Sequence, residues 1–428
     1  VVGVSFSALT PEQAGYVDVT KPPYSCDNSG NTDVTASLQR AVDGAIAESK
    51  AVFLPAGDYL VSNTIKIYNP RPKMCCQTTV FEGSSIDPAK RSRIILKANS
   101  PGFNDPAHPK LVVQFIRASQ YTNVFDKLIK SIDVVVLEGN AGAAGVRNRG
   151  AEGCGIYDVH VDLTRSGTIG FWGVPASGGG TYQVSVKGGD YAFMLAEASD
   201  NPMTLDPSYT RTSSQPTVSI SGSSFYNQRK VVTKGKVRGG LVMAGCTFVL
   251  NKGAQVCNIM SYRYNGFISF VDCRMEYETY DQSNQMFRSP CRSVYMGNCY
   301  VKNAHMVYSG GSGDVPSNNN GWTHFQTCAM DLDHNVDFPY EDGIYIDGAF
   351  KGINTVHVEK TDDKTPPEDL QSWHWWSKDG SFPSFESEGA VSIADYAGSK
   401  EGEDWSPAIQ QAVNEHEIVF VPPGTYRC

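Results

Sequence analysis

Met243-Ala244-Gly245-Cys246-Thr247-Phe248 and Phe270-Val271-Asp272-Cys273-Arg274-Met275 are two copies of one six-residue pattern, and reading them together decides the fold. Each runs apolar, two variable residues, a small or apolar central residue, one variable residue, apolar. Working outward, the pattern recurs as Ile129-x-x-Ile132-x-Val134, Ile156-x-x-Val159-x-Val161, Ile220-x-x-Ser223-x-Phe225 and Met296-x-x-Cys299-x-Val301. It recurs again as Phe325-x-x-Cys328-x-Met330 and Ile353-x-x-Val356-x-Val358, with a weaker copy at Thr181-x-x-Val184-x-Val186. The central residues fall at 132, 159, 184, 223, 246, 273, 299, 328 and 356, and most steps are 23 to 29 residues. The long step from 184 to 223 contains SDNPMTLDPSYTRTSSQP, which reads as an insertion on one turn.

The last two core positions of each copy alternate with period two, as a strand requires. Gly, Asn and Ser cluster between copies and supply turns with positive φ. Helical periodicity is nearly absent, which excludes a βαβ fold, and a propeller blade needs about 40 residues or more. A solenoid with one coil per repeat fits, each coil stacking on the last at about 4.8 Å. Residues 125–360 are therefore expected to form an all-β, right-handed, single-stranded parallel β-helix. Cys246, Cys273, Cys299 and Cys328 then share one interior column as small buried thiols, without the His or carboxylate partners of a metal site.

The 428-residue chain is Gly-rich (41), 19% charged and carries a net charge of −9. No basic stripe exists to neutralise phosphates, which argues against nucleic acid. No apolar run reaches the length of a membrane span. The chain starts at Val1 without a leader, as expected of a processed or partial secreted protein. Eleven cysteines in no zinc spacing leave Cys26, Cys75, Cys76 and Cys154 as the ones open to pairing in an oxidising compartment.

A solenoid needs caps. TDVTASLQRAVDGAIAE is an amphipathic helix opened by an Asp or Thr cap, and AVFLPAGDYLVS follows as a buried strand turning at Pro55-Ala56-Gly57-Asp58-Tyr59. This D-x-T-x-x-L-Q-x-A-V … V-F-L-P-x-G-x-Y-x-V-S string, over 33–62, resembles the N-terminal signature of the pectate-lyase superfamily of β-helices. The stretches Gly139-Asn140-Ala141-Gly142-Ala143-Ala144-Gly145-Val146 and GGGTYQVSVKGGDYAF resemble its glycoside-hydrolase-like members. The signature returns at Asp404, Gln410, Ala412, Val413 and Val419-Phe420-Val421-Pro422-Pro423-Gly424-Thr425-Tyr426.

Tandem openings resemble the two-lobed exo-β-1,3-glucanases of glycoside hydrolase family 55. The resemblance implies a β-helix lobe over 1–360, an inter-lobe linker over 361–403 and the start of a second lobe over 404–428. In that family the general-acid glutamate comes from the second lobe, and no position here inherits the role. A chain that continues past Cys428, or one that departs from the family, is the expectation.

No Ser-His-Asp order, phosphate-cradling loop, HExxH or EF-hand loop is present. Chemistry is sought on the outward positions of the repeat. One residue after the centre the column reads Asp133, His160, Ser185, Ser224, Thr247, Arg274, Tyr300, Ala329 and His357. Three residues after, it reads Val135, Asp162, Lys187, Tyr226, Val249, Glu276, Lys302, Asp331 and Glu359, with Glu278 and Asp333 one pleat further. Two coils apart, Glu276 and Asp331 stand about 9–10 Å from each other, near the spacing of an inverting glycosidase pair. They are the candidate catalytic pair, although with Lys302 between them they also read as a cross-strand charge ladder. Asp162, Arg274, Glu278, Lys302, Asp333, Trp172 and Trp322 are candidate sugar contacts, the two tryptophans in Gly-rich turns. Trp373, Trp375 and Trp376, with His374, are expected to pack between lobes.

The leading reading is a secreted glycoside hydrolase acting on a β-1,3-glucan-like polysaccharide by an inverting mechanism, without metal or cofactor. A polysaccharide lyase is the alternative, with Arg274 or Lys302 as base and Ca²⁺ to absorb charge; a third is a non-catalytic glycan-binding β-helix. The sequence leaves the oligomeric state open.

Overall fold

The computed structural model describes residues 9–68, 78–85, 87, 89–115, 124–195, 217–237, 239–261, 267–287, 293–310, 313–319, 321–331 and 343–428. Two sheets wrap around one core, forming a right-handed parallel β-helix. The larger has 19 strands and the smaller ten, the latter contributing one strand per coil from Ile65–Lys66 to Met306–Tyr308. No helix among the described residues is long and apolar enough to cross a membrane.

The six-residue pattern has a single physical cause. The residue before each of the first seven centres adopts a left-handed conformation: Ser131, Asp158, Gln183, Gly222, Gly245, Asp272 and Asn298 have φ of 54, 53, 52, 60, 60, 52 and 49°. This kink divides each long strand, so the residues three before, at, and two after the centre all point inward. Ile129, Ile132 and Val134, like Phe270, Cys273 and Met275, are fully buried. Asp, Asn and Gly tolerate this region best, and they fill most of the column. The kink also explains the thiols. Cys246, Cys273 and Cys299 each donate to the backbone carbonyl of the residue opening the preceding copy, namely Ile220 (3.8 Å), Met243 (3.3 Å) and Phe270 (3.4 Å). Burial pushes the Cys246 and Cys299 thiols upward in pKa, and Cys328 to about 12. Cys26 and Cys154 are also buried thiols rather than halves of a disulfide, while Cys75 and Cys76 lie outside the described residues.

The coils stack in the expected register: Ile132 faces Val159, His160 faces Ser185, Ser185 faces Ser224, and Thr247 faces Arg274. The coils on either side of the 199–216 insertion are therefore adjacent. The last two copies depart from expectation. Trp322–Met330 runs antiparallel to Val294–Lys302, and Val356–Asp362 runs antiparallel in turn. Cys328 consequently faces Met296 rather than Cys299, whose partner is Phe325. The chain reverses at the short antiparallel pair Met306–Tyr308 and Val315–Pro316, which ends the smaller sheet.

At the other end the helix Thr35–Ala47 buries Leu38, Ala41, Val42, Ala45 and Ile46 over the first coil. The N-cap position is Val34 rather than the expected Asp or Thr and carries no side-chain cap; Asp33, one residue earlier, accepts from the Thr35 amide and hydroxyl. The second signature repeats this construction. Asp404 accepts from the Ser406 amide and hydroxyl, and Tyr426 donates to the Pro422 carbonyl at 2.9 Å as Tyr59 does to Pro55 at 2.8 Å. Val391 pairs with Val419 as Val17 pairs with Val52.

Between these ends, residues 369–387 form a strap along the flank of the large sheet. Gln371 bonds Gly222, Ser224 and Thr247; His374 meets Asp272 at 2.7 Å; and Gln183 binds both Gly380 and Trp376. Phe382 stacks on Tyr157, and Phe385 packs on Tyr16 and Phe53. The stretch expected to join two lobes is thus bonded to the side of the β-helix, leaving Trp373 and Trp376 more than half exposed.

Candidate functional site

The antiparallel return separates the expected carboxylate pair. Glu276 faces Lys302 at the end of Val294–Lys302, whereas Asp331 follows Met330, which faces Val294 at the start of that strand. Eight residues at roughly 3.3 Å place them about 26 Å apart. Asp331 is 5% exposed and accepts from the Ser293 hydroxyl and the Asn354 amide. These bonds tie down a turn. Trp172 is also displaced from its expected role: it lies in the strand Ile169–Trp172, 5% exposed, among Leu111, Ile169, Tyr191 and Met194. Glu278 projects into solvent, and Asp333 lies outside the described residues.

Four candidates do converge. Arg274 reaches Glu276 at 2.7 Å and lies 5.0 Å from the Trp322 ring centre, while Lys302 lies 5.6 Å from the same ring. Trp322 opens the antiparallel return strand and is brought here by its pairing with Lys302. The cluster combines an aromatic ring, two cations and a carboxylate.

A denser constellation occupies the N-terminal half of the same face. Arg91 bridges Asp133 (2.6 Å) and Asp158 (2.9 Å) from adjacent coils. The His160 ring reaches Asp158 at 3.2 Å through Nε2 and the Ser185 hydroxyl at 2.8 Å through Nδ1. Burial works against the charge of Asp158, but the His160 hydrogen bond and Arg91 outweigh it and hold its carboxyl below the usual range. Asp162, two residues beyond His160 on the same face, accepts from the Thr164 amide and hydroxyl.

Two depressions run along this region. One holds Lys90, Arg91, Arg93, Asp58 and Asp133; the other holds Asp162, Arg165, Arg93 and Asp58; and they meet at Ser29, Asp58 and Arg93. Because Asp133 faces His160 and Asp162 lies two residues further, Asp133 and Asp162 are diagonal neighbours. Strand spacing and rise put their backbones about 8 Å apart. No cluster able to hold a metal ion occurs among the described residues.

The outward columns bring His160 beside Ser185 and identify Asp162. They omit Arg91, which arrives from an earlier coil, and Asp158, which sits at the kink and is turned outward by its positive φ.

No curated protein matches the chain. Similar solved structures include the tailspike protein of Acinetobacter phage vB_ApiP_P1, at 12% identity over 70% of this chain and 56% of that one, with a TM-score of 0.43. The Agl-KA catalytic domain shares 13% identity over 71% of this chain and 57% of its own, with a TM-score of 0.44. The A-module of the Azotobacter vinelandii mannuronan C-5 epimerase AlgE6 shares 13% identity over 68% and 87%, with a TM-score of 0.34. The chain spans a little over half the length of the first two. Residues 22–255, more than half of the sequence, match the family described as rhamnogalacturonase A/epimerase, pectate lyase-like, and the chain belongs to that family.

Proposed function

We propose that the chain is a polysaccharide-cleaving enzyme that hydrolyses glycosidic bonds in the groove between Asp133 and Asp162. The observation that carries this reading is their diagonal placement across two joined depressions. Their backbones stand about 8 Å apart, a placement that lets the two carboxyl groups reach the 6.5–9.5 Å separation of inverting pairs, which leaves room for a water between carboxylate and sugar. Asp133, paired with Arg91, suits the base that activates water, leaving Asp162 to protonate the departing oxygen. Membership of a family described by rhamnogalacturonase and epimerase supports a polysaccharide substrate. The β-1,3-glucan implied by the tandem-signature resemblance remains the first neutral polymer to try. An extracellular location goes with a polymeric substrate, and residues 391–428 are read as the opening of a second β-helix.

The test is incubation with laminarin, rhamnogalacturonan and polygalacturonate, read by reducing ends and product anomer. Asp133→Asn and Asp162→Asn should each lower release by about 10²-fold or more. Unchanged release in both variants would overturn the assignment. A second reading, β-elimination on a uronate polymer, is favoured by Arg274 and Lys302 around Trp322 beside Glu276. It predicts an unsaturated, ultraviolet-absorbing product lost in Lys302→Ala but retained in Asp133→Asn.

A further inference from the structure

The arrangement of Asp158, His160 and Ser185 has a chemistry that glycosidic cleavage does not use. The three side chains come from two adjacent coils and meet only because His160 faces Ser185 in the sheet register. His160 bonds the Ser185 hydroxyl at 2.8 Å with one ring nitrogen, and its other nitrogen lies 3.2 Å from the Asp158 carboxylate as an ion-pair contact. Asp158 is itself fixed twice, by its left-handed backbone and by Arg91, which binds both its carboxylate and its carbonyl oxygen. The imidazole is therefore oriented from one side by a charged carboxylate and presents its other nitrogen to a half-exposed hydroxyl. A nucleophile, a base and a group orienting the base, in hydrogen-bond contact, are the requirements for an activated serine. Lys187 follows two residues beyond Ser185 on the same strand, about 6.6 Å along it, with its side chain exposed.

We propose that Ser185 is the nucleophile of a second active site that hydrolyses carboxylic esters, of the class carried as acyl substituents on sugar hydroxyls. The Ser185 Oγ bonds to the acyl carbon as its proton passes to His160 Nδ1. The tetrahedral adduct then expels the sugar alkoxide, which leaves as an alcohol with that proton. Water attacks the acyl-serine, gives a proton to the same nitrogen, and releases the carboxylic acid as Ser185 recovers its hydrogen. The Asp158 carboxylate, 3.2 Å from Nε2, offsets the charge that the imidazole gains. This site does not depend on the glycosidic reading, since small esters suffice to test it.

The experiment treats the full chain with a fluorophosphonate probe and with p-nitrophenyl acetate, locating the label by peptide mass spectrometry. Labelling is expected at Ser185. His160→Gln, which keeps a polar ring-sized neighbour without proton transfer, should slow both reactions about 10²-fold or more. Asp158→Asn should slow them less. Ser224→Ala, removing the facing hydroxyl that does not touch His160, should leave them unchanged, and unfolding midpoints confirm that each variant is folded. A wild-type protein unlabelled at Ser185, or labelling indifferent to His160→Gln, overturns the proposal. Loss of polysaccharide cleavage in Asp133→Asn with ester hydrolysis intact would separate the two sites.

Discussion

Lys130 meets Glu82 at 2.8 Å beneath the strap, and both side chains are almost entirely shielded from water. Glu82 also accepts from the Tyr16 and Ser384 hydroxyls, while Lys130 donates to the Pro383 carbonyl. The pair thus ties the first coils to a segment 302 residues beyond Glu82 and 253 beyond Lys130. Burial, then the neighbouring Glu82, drives the Tyr16 hydroxyl far above its ordinary pKa, so it stays a donor. Lys130→Met should cost about 3–5 kcal/mol by stranding the Glu82 charge, and the double variant with Glu82→Gln should cost less. Denaturant midpoints of both variants check this.

Glu386 lies at the same junction and gives it a pH dependence. Burial raises its pKa above 4.5, opposed by bonds from Ser85 and Ser84, with Glu82 adding to the rise. A carboxyl with a raised folded value binds its proton more tightly when folded. Its contribution to stability is greatest at acid pH and is lost as pH rises above the unfolded value near 4.5 through the folded one. Glu386→Gln should flatten this part of the melting-temperature profile between acid and neutral pH. A profile identical to wild type would remove Glu386 from the latch.

The strap depends equally on the kinks beneath it. At Gly245, with φ of 60°, a Cβ would collide with the His374 ring. Gly245→Ala should cost about 1–2 kcal/mol in left-handed strain alone. It should also lift the strap, exposing Trp373–Trp376 to chymotrypsin several-fold faster than in wild type. Gln371→Ala, which loses the bonds to Gly222, Ser224 and Thr247, should show the faster cleavage with little backbone strain.

How far the sequence reveals this molecule follows from what periodicity encodes. The spacing of Ile129, Ile132 and Val134 records both the kink and the inward face, so coils and register are readable from residue types. Strand direction is not, because an alternation of inward and outward side chains looks the same reversed. Phe325 and Cys328 fit the core as well running backward, against Cys299 and Met296, as forward. That symmetry is why Asp331 fell into the Glu276 column on paper. His160 and Ser185 already stand side by side in the outward column, but Asp158 reaches them through the kink, a position that column omits. The strap joins residues more than a hundred apart, such as His374 and Asp272, by contacts that no repeat signals.

Because Glu276 and Asp331 lie beside opposite ends of the strand Val294–Lys302, their substitutions should act independently. Glu276→Gln breaks a part-exposed pair with Arg274, worth under about 1 kcal/mol. Asp331→Asn replaces one of two buried acceptor oxygens, which serve the Ser293 hydroxyl and the Asn354 amide, with an NH2 group and should cost about 1–3 kcal/mol. The double variant should equal the sum within about 0.5 kcal/mol, as for sites sharing no partner. A coupling well above that, in stability or in product release, would place the two carboxylates in one site after all.

The two signatures allow one more comparison, since they share hydrogen bonds but differ in burial. Val42 and Leu54 are fully buried, whereas the matching Val413 and Val421 are 56% and 57% exposed. The first helix lies against stacked coils, while the described residues place nothing over the second helix's equivalent positions. Val42→Asp should therefore cost several kcal/mol, since a carboxylate would sit in the core, and Val413→Asp should change stability by about 0.5 kcal/mol or less. Thermal unfolding of the two variants tests this directly. Equal destabilisation would mean that Val413 is covered in solution by a surface of matching apolar character, as expected if residues 391–428 cap further coils.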